Sequence, residues 1–251
     1  MHYLPRQIVN DDLELVHLFH CNSKAFPNFS ANRKQFQECK YNREYKEYPD
    51  SPSIVLNNSL DSITSFQQIL MHRRSINDFV GKTISQLLLA KLIYSAFGKN
   101  NTSQKKDFKS RVVPSAGALY PIELYLVCLK VEEIKPGLYH YNSKNDVLEF
   151  LGNEQLSMFP KVWVHPDTSK NASLVFILST IFRRNVGKYG SRGYRFMLME
   201  SGIIAEHISL QATEEGLGST IVCGFYDDLM NHWLGFDERE ESVLCTVVCG
   251  R

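Results

Sequence analysis

The sequence has no apolar run approaching the roughly 20 residues that a membrane-spanning helix needs. Its first residues, MHYLPRQIVNDD, are too polar for a secretory signal. The expectation is a cytoplasmic protein without a membrane partner. An excess of one charge is also missing: 28 Lys and Arg against 27 Asp and Glu leave a formal net charge of +1. That balance gives no overall reason to expect a nucleic acid, a lipid surface or a polyacidic ligand. Cysteines are few, and none of the six forms a CxxC pair. Cys128, Cys223, Cys245 and Cys249 lie in apolar stretches, where a thiol behaves as a small core residue. Disulfides are not expected in a reducing compartment. There is no Gly-Lys-Ser/Thr phosphate loop and no GxGxxG after a strand, so a Rossmann dinucleotide site is unsupported. His17 and His20, with Cys21 beside them, lack a second ligand pair, so they read as a helix face and no metal is expected.

What is present is a core-forming composition, 43% hydrophobic, in a chain long enough for one domain plus an extension. Residues 1–64 read as an N-terminal helical extension and linker, with a helix from Asp11 to Phe26 and a charged stretch broken by Pro49 and Pro52. The main domain reads as residues 65–251. TISQLLLAKLIYSAFG predicts a helix capped by Thr83 or Ser85 and stopped at Gly98. IELYLVCLKV and GLYHYNSKNDVLEFL predict strands around turns, and SLVFILSTI predicts a strand buried on both faces. The longest helix runs through YRFMLMESGIIAEHISLQATEEGLG and stops at Gly216 or Gly218, followed by strands in STIVCGF and ESVLCTVVCG. The fold class is α+β, a mixed or antiparallel sheet flanked by helices.

Three short stretches could carry chemistry. Arg73, Arg74 and Ser75 end a short helix, where two guanidiniums and a hydroxyl suit a phosphate. A solvated helix end with cations on its dipole is the plainer alternative. PSAGALYP, from Pro114 to Pro121, puts small residues between two prolines, so backbone could approach a planar or anionic ligand closely, or simply turn. GKYGSRGYRF holds Lys188 and Tyr189 among Arg183, Arg184, Arg192 and Arg195. If those cations face the pair, they favour a neutral lysine or a tyrosinate, either of which is a better general base. The alternative is an exposed basic loop.

In this order, RRS, PSAGALYPIELYLV, GLYHY, KYGSRGYRFMLMESG and EEGLGSTIVCGF resemble the SagB/ThcOx-type dehydrogenases, nitroreductase-like flavoproteins that oxidise thiazolines and oxazolines to azoles. The resemblance runs from about His72 to Arg251. It implies a homodimer with two FMN sites at the subunit interface. It gives Arg73, Arg74 and Ser75 the phosphate and ribityl end. It lays Pro114, Ser115, Ala116 and Gly117 against the flavin of the partner subunit. Cys223 and Gly224 match the turn near flavin N5, Arg251 reaches toward the phosphate, and Lys188 and Tyr189 match a lysine–tyrosine pair implicated in proton abstraction. Asn77 departs from relatives that carry a further arginine there, leaving one cation fewer.

The activity this implies is FMN-dependent oxidation of an azoline ring in a peptide or carrier-bound precursor, with a cyclodehydratase or synthetase complex as possible partner. Without a long N-terminal peptide-binding module, leader recognition would fall to that partner or to the short extension. Two rival readings use the same fold: an NAD(P)H-dependent nitro or flavin reductase, and a scaffold subunit of a peptide-modifying complex.

Overall fold

The computed structural model describes residues 12–25, 64–99, 111–154 and 156–251. The predicted linker of residues 32–53 lies outside them, as does nearly all of the polar loop of residues 99–111.

The chain builds one six-stranded sheet of order β3-β2-β1-β4-β6-β5. Its strands are β1 (Ile122–Cys128), β2 (Gly137–Asn142), β3 (Val147–Gly152), β4 (Leu174–Ile181), β5 (Gly218–Val222) and β6 (Glu241–Gly250). All neighbouring strands pair antiparallel. Among the described residues, parallel contacts are confined to isolated bridges, Ser75 with Ser219 and Ile84 with Val131.

β4 shows why the sheet is covered on both sides. Side chains alternate along a strand, so Leu174, Phe176 and Leu178 point into one apolar cluster while Val175 and Ile177 point into another. The first cluster packs under α3 (Gln86–Phe97) and α5 (Gly193–Glu214). The second packs under short 3-10 turns carrying Phe159, Val162 and Trp163, and under α6 (Asp227–Leu234) with Met230 and Trp233. Each fully buried side chain of this size is worth about 1.5–3 kcal/mol.

Helix ends follow local chemistry. The Ser85 hydroxyl accepts from the Leu88 N–H and caps α3. α5 ends in a Schellman motif: Leu217 N–H donates to the Ala212 carbonyl at 2.8 Å, and Gly216 N–H to the Thr213 carbonyl at 3.1 Å, with Gly216 at φ +66. The short helix before the arginine pair, α2 (Ser65–His72), starts at a capping box of Thr64 and Gln67.

α1 (Asp12–Ser23) packs on this domain through Val16 and His20. His20 Nδ1 bonds the Tyr194 hydroxyl at 2.8 Å and its Nε2 bonds the Ser242 hydroxyl at 2.8 Å. Ser242 Oγ also accepts from Asn231 Nδ2 at 2.8 Å, which ties α1, α5, α6 and β6 together. Burial lowers the His20 pKa to about 4, so the ring is neutral in this network. His17 and His20 both set their rings edge-on to Phe182 at the start of α4 (Phe182–Tyr189). The two histidines are thus packing residues, and among the described residues no metal-binding cluster is present.

Candidate active site

The basic stretch is mostly helical rather than an exposed loop. α4 leaves β4 directly, anchored by buried Phe182, Asn185 and Val186, and Lys188 and Tyr189 occupy its last turn. Gly187 is an interior helix position, and only Gly190 takes a positive φ, +59. Tyr189 is held edge-on by Phe196, with ring centroids 5.1 Å apart, and Lys188 Nζ lies 5.3 Å from the Tyr189 ring centroid.

The small-residue loop meets this pair. Ser115 Oγ accepts from the Tyr120 N–H at 2.9 Å, and Ala118 N–H donates to the Ser115 carbonyl at 3.0 Å, closing a tight turn. Gly117, Ala118 and Tyr120 have φ of +62, +54 and +46. Such values cost a residue with a Cβ on the order of 1–3 kcal/mol, so the surrounding contacts must hold them. A Cβ on Gly117 would lie 2.4 Å from the Tyr189 hydroxyl oxygen and 2.6 Å from Lys188 Nζ. Gly117 therefore presents bare backbone to the two groups, and two motifs about 70 residues apart in sequence form one site.

Two of the four arginines turn away from Lys188. Arg184 Nη1 is paired with Glu123 Oε1 and donates to the Tyr120 carbonyl at 3.1 Å. Arg183 Nε faces Glu240 Oε2 at 3.6 Å. Nearness in sequence placed these cations beside the lysine; the helix turns them toward carboxylates on β1 and before β6.

Sequence reasoning passed over Glu200. It lies on α5 three residues after Met197 and four before Ile204, within the buried stripe of that helix, and is 2% exposed. That position was the available signal: a carboxylate on an apolar face. Burial raises its pKa to about 7, opposed by the Ser115 hydroxyl and the Arg111 charge. Neither carboxyl oxygen has a fully formed hydrogen bond among the described residues. The folded-state pKa is above the usual 4.5, so the stability this group contributes is complete below pH 4.5 and is lost as pH rises through about 7. A shift of this size corresponds to about 3 kcal/mol. Glu200→Gln is therefore expected to raise unfolding stability at pH 8 and to change it little at pH 4.5. Urea denaturation at both values measures it, and an equal effect at both would count against a charged, strained carboxylate.

Of the proposed cofactor residues, Ser75, Cys223 and Gly224 adjoin β5, Arg73, Arg74 and Arg251 lie on its approaches, and Pro114–Gly117 stand elsewhere. Ser75 bridges Ser219 near the start of that strand, and Ile76 N–H donates to the Ser219 carbonyl at 2.9 Å. Arg73 Nε faces Glu206 Oε1 at 3.4 Å, and Arg74 donates to the carbonyls of Met71 and Arg73. The Arg251 carbonyl accepts from Val80 and Gly81, which brings the last residue to the segment following Arg73–Ser75. Cys223 and Gly224 follow the other end of β5, about 13 Å along an extended strand from Ser219. A side-chain methyl at Gly224 would meet only Val222, at 3.9 Å, so backbone there is open to a ligand. A phosphate at one end and a planar ring at the other fit this layout.

Pro114–Gly117 and Lys188–Tyr189 stand at the end of the sheet where β1 begins, beside Cys223 in level but separated from it by β4 and β6. A cleft of about 380 Å³ adjoins the loop, lined by Arg111, Tyr120, Glu123, His140 and Arg184. A further cavity of about 440 Å³, between α3 and the β2–β3 hairpin, contains none of the predicted site residues.

Residues 70–251 match the nitroreductase family. The chain belongs to that family. A protein of Methanocaldococcus jannaschii named as a nitroreductase, MJ1384, is 29% identical over 173 residues, covering 68% of this chain and 85% of that protein. The microcin B17-processing protein McbC of Escherichia coli is 29% identical over 162 residues, covering 62% of this chain and 58% of McbC. The chain thus spans little more than half of McbC. In fold it is similar to a chain of the E. coli microcin synthetase McbBCD complex with truncated pro-MccB17 bound, at TM-score 0.76 and 24% identity, over 96% of this chain and 92% of that one. Nitroreductase family members use flavin cofactors, and the open turn at Gly224 with the Arg73–Ser75 anchor fits one.

Proposed function

We propose that this nitroreductase-family chain is an FMN-dependent dehydrogenase that oxidises thiazoline or oxazoline rings of a peptide natural-product precursor to thiazoles or oxazoles. The observation that carries the reading is the contact of Gly117 with Lys188 and Tyr189. It joins the small-residue loop to the lysine–tyrosine pair on which the resemblance rests. The similarity to McbC, a microcin-processing protein, supports a peptide precursor as substrate and a synthetase complex as partner.

When bound, FMN would supply a two-electron hydride acceptor, with Arg73, Arg74, Ser75 and Arg251 at its phosphate end and Cys223–Gly224 at its ring. Lys188 Nζ or Tyr189 OH removes the ring proton next to the substrate carbonyl. The two groups approach the same point at Gly117, so either can reach a proton presented there. Phe196 fixes the phenol ring edge-on, and Lys188 Nζ lies over its face. The Pro114–Gly117 loop orients the ring by backbone contact, without side chains that would fill the space.

A homodimer completes the site in this reading, since the loop and pair of one chain lie away from the β5 end of the same chain. Exposed Phe66 and Met71 on α2 and Met199 on α5 supply apolar surface for a second copy. The test uses the purified full chain, with FMN added, and a synthetic peptide thiazoline. A flavin absorption spectrum and loss of two hydrogens from the peptide by mass spectrometry are expected. A protein that stays colourless with added FMN overturns the cofactor. Rapid NADH oxidation with a nitroaromatic and no azoline turnover would favour a reductase.

A further inference from the structure

Of the four cysteines read as core, Cys128, Cys245 and Cys249 are buried, but Cys223 is exposed. β5 is an edge strand, and its end leaves the sheet: Gly224 O accepts from Val164 N–H at 2.9 Å and Phe225 bridges Trp163. The apolar run STIVCGF thus returns to the core at Phe225 but leaves Cys223 outside it.

Cys223 has a second thiol beside it. The β5–β6 register pairs Ile221 with Val247 and Val222 with Thr246, so the next rung sets Cys223 opposite Cys245. Thr246 Oγ1 donates to the Val222 carbonyl at 2.7 Å and fixes the rung before them. Directly opposed residues of antiparallel strands have Cα atoms about 4.5–5.5 Å apart, inside the range of about 4.4–6.8 Å that a disulfide bridges. That rung puts the two thiols side by side on one face of adjacent strands. An acceptor for the Cys245 S–H, the Thr246 carbonyl, lies at 3.9 Å.

We propose that Cys223 is a peroxide-reactive thiol and that Cys245 resolves it, so that the two form a reversible cross-strand disulfide.

The roles are asymmetric because the environments are. Cys223 is reachable from solvent, and hydrogen bonding from Cys245 lowers its pKa to about 7, which favours the thiolate. Cys245 is held protonated by that bond and by burial. In the first step the Cys223 thiolate attacks hydrogen peroxide, breaking the O–O bond to give a sulfenic acid and hydroxide. In the second, Cys245 attacks the Cys223 sulfur, the S–S bond forms, and the hydroxyl leaves as water with the Cys245 proton. Two thiols lose two electrons and one peroxide becomes two waters. A dithiol reductant reverses the change. Cys128 on β1 and Cys249 on β6, both fully buried, have no exposed thiol opposite them.

The inference concerns the flavin-free chain, because the proposed function sets Cys223 beside the ring, and its chemistry uses no cofactor. The full-length protein, with no FMN added, is treated with hydrogen peroxide, digested without reduction and mapped by mass spectrometry. The expected product is a peptide pair joined through Cys223 and Cys245, lighter by two hydrogens and released by dithiothreitol. Cys245→Ser, which keeps a hydroxyl donor but no thiol, is expected to leave a dimedone-trappable sulfenic acid on Cys223, which then oxidises further. Cys223 recovered as a free thiol, or oxidised to sulfinic acid in the native chain with Cys245 still reduced, would overturn the proposal. So would Cys223 linked mainly to a cysteine of another chain.

Discussion

Lys188→Ala is expected to lower azoline turnover by about 100-fold to 10,000-fold, the range over which a positioned general acid or base contributes. Flavin absorbance should be unchanged. The separation follows from where the pair stands. α4 is held to the domain by Phe182, which is 0% exposed, and by Val186, while Lys188 is on the exposed side of its last turn. The Arg73–Ser75 and Cys223–Gly224 groups run along β5 and its approaches, so removing the lysine takes nothing from them. Tyr189→Phe keeps the edge-on contact with Phe196 and deletes only the hydroxyl. If Tyr189 takes the proton, its loss should match or exceed that of Lys188→Ala. If Lys188 does, the phenylalanine variant should retain much of the rate. Single-turnover assays at saturating peptide, with flavin content measured on the same samples, separate these cases. Loss of flavin from either variant would mean that the pair is structural.

How far the fold could be read from the sequence depended on how much of each element's determinant is local. β4 was legible because its burial on both faces makes an uninterrupted apolar run. α3 and α5 were legible because Ser85 and Gly216 mark their ends. α4 was not, since FRRNVGKY buries only Phe182, Asn185 and Val186 and follows β4 with no intervening turn. The sites divide in the same way. Lys188, Tyr189 and the Pro114–Pro121 loop were visible as unusual residue clusters, but their meeting at Gly117 is a tertiary fact. The direction of Arg184 is set by Glu123, about 60 residues away in the chain. Cys223 was mistaken for core because a strand's side-chain pattern does not say whether it lies at a sheet edge.

Gly117→Val is expected to remove most turnover, by about 100-fold or more, with a much smaller loss of stability. The stability loss has one local source: at φ +62 a residue with a Cβ is disfavoured by about 1–2 kcal/mol. The obstacles its Cβ meets are the far ends of two long side chains, which can swing away at little cost in packing. That same displacement is what the chemistry cannot tolerate. A valine would push Tyr189 OH and Lys188 Nζ, now 2.4 and 2.6 Å from where its Cβ would be, off the point they share. A shift of about 1 Å at reacting groups can cost about 100-fold in rate. Thermal unfolding and turnover measured on one preparation should therefore diverge, stability falling slightly and rate steeply. Putting the same valine into the Lys188→Ala chain should cost clearly less than it does in the native chain, because one of the displaced groups is already gone. Full, independent losses in the double variant would show that Gly117 acts apart from the pair.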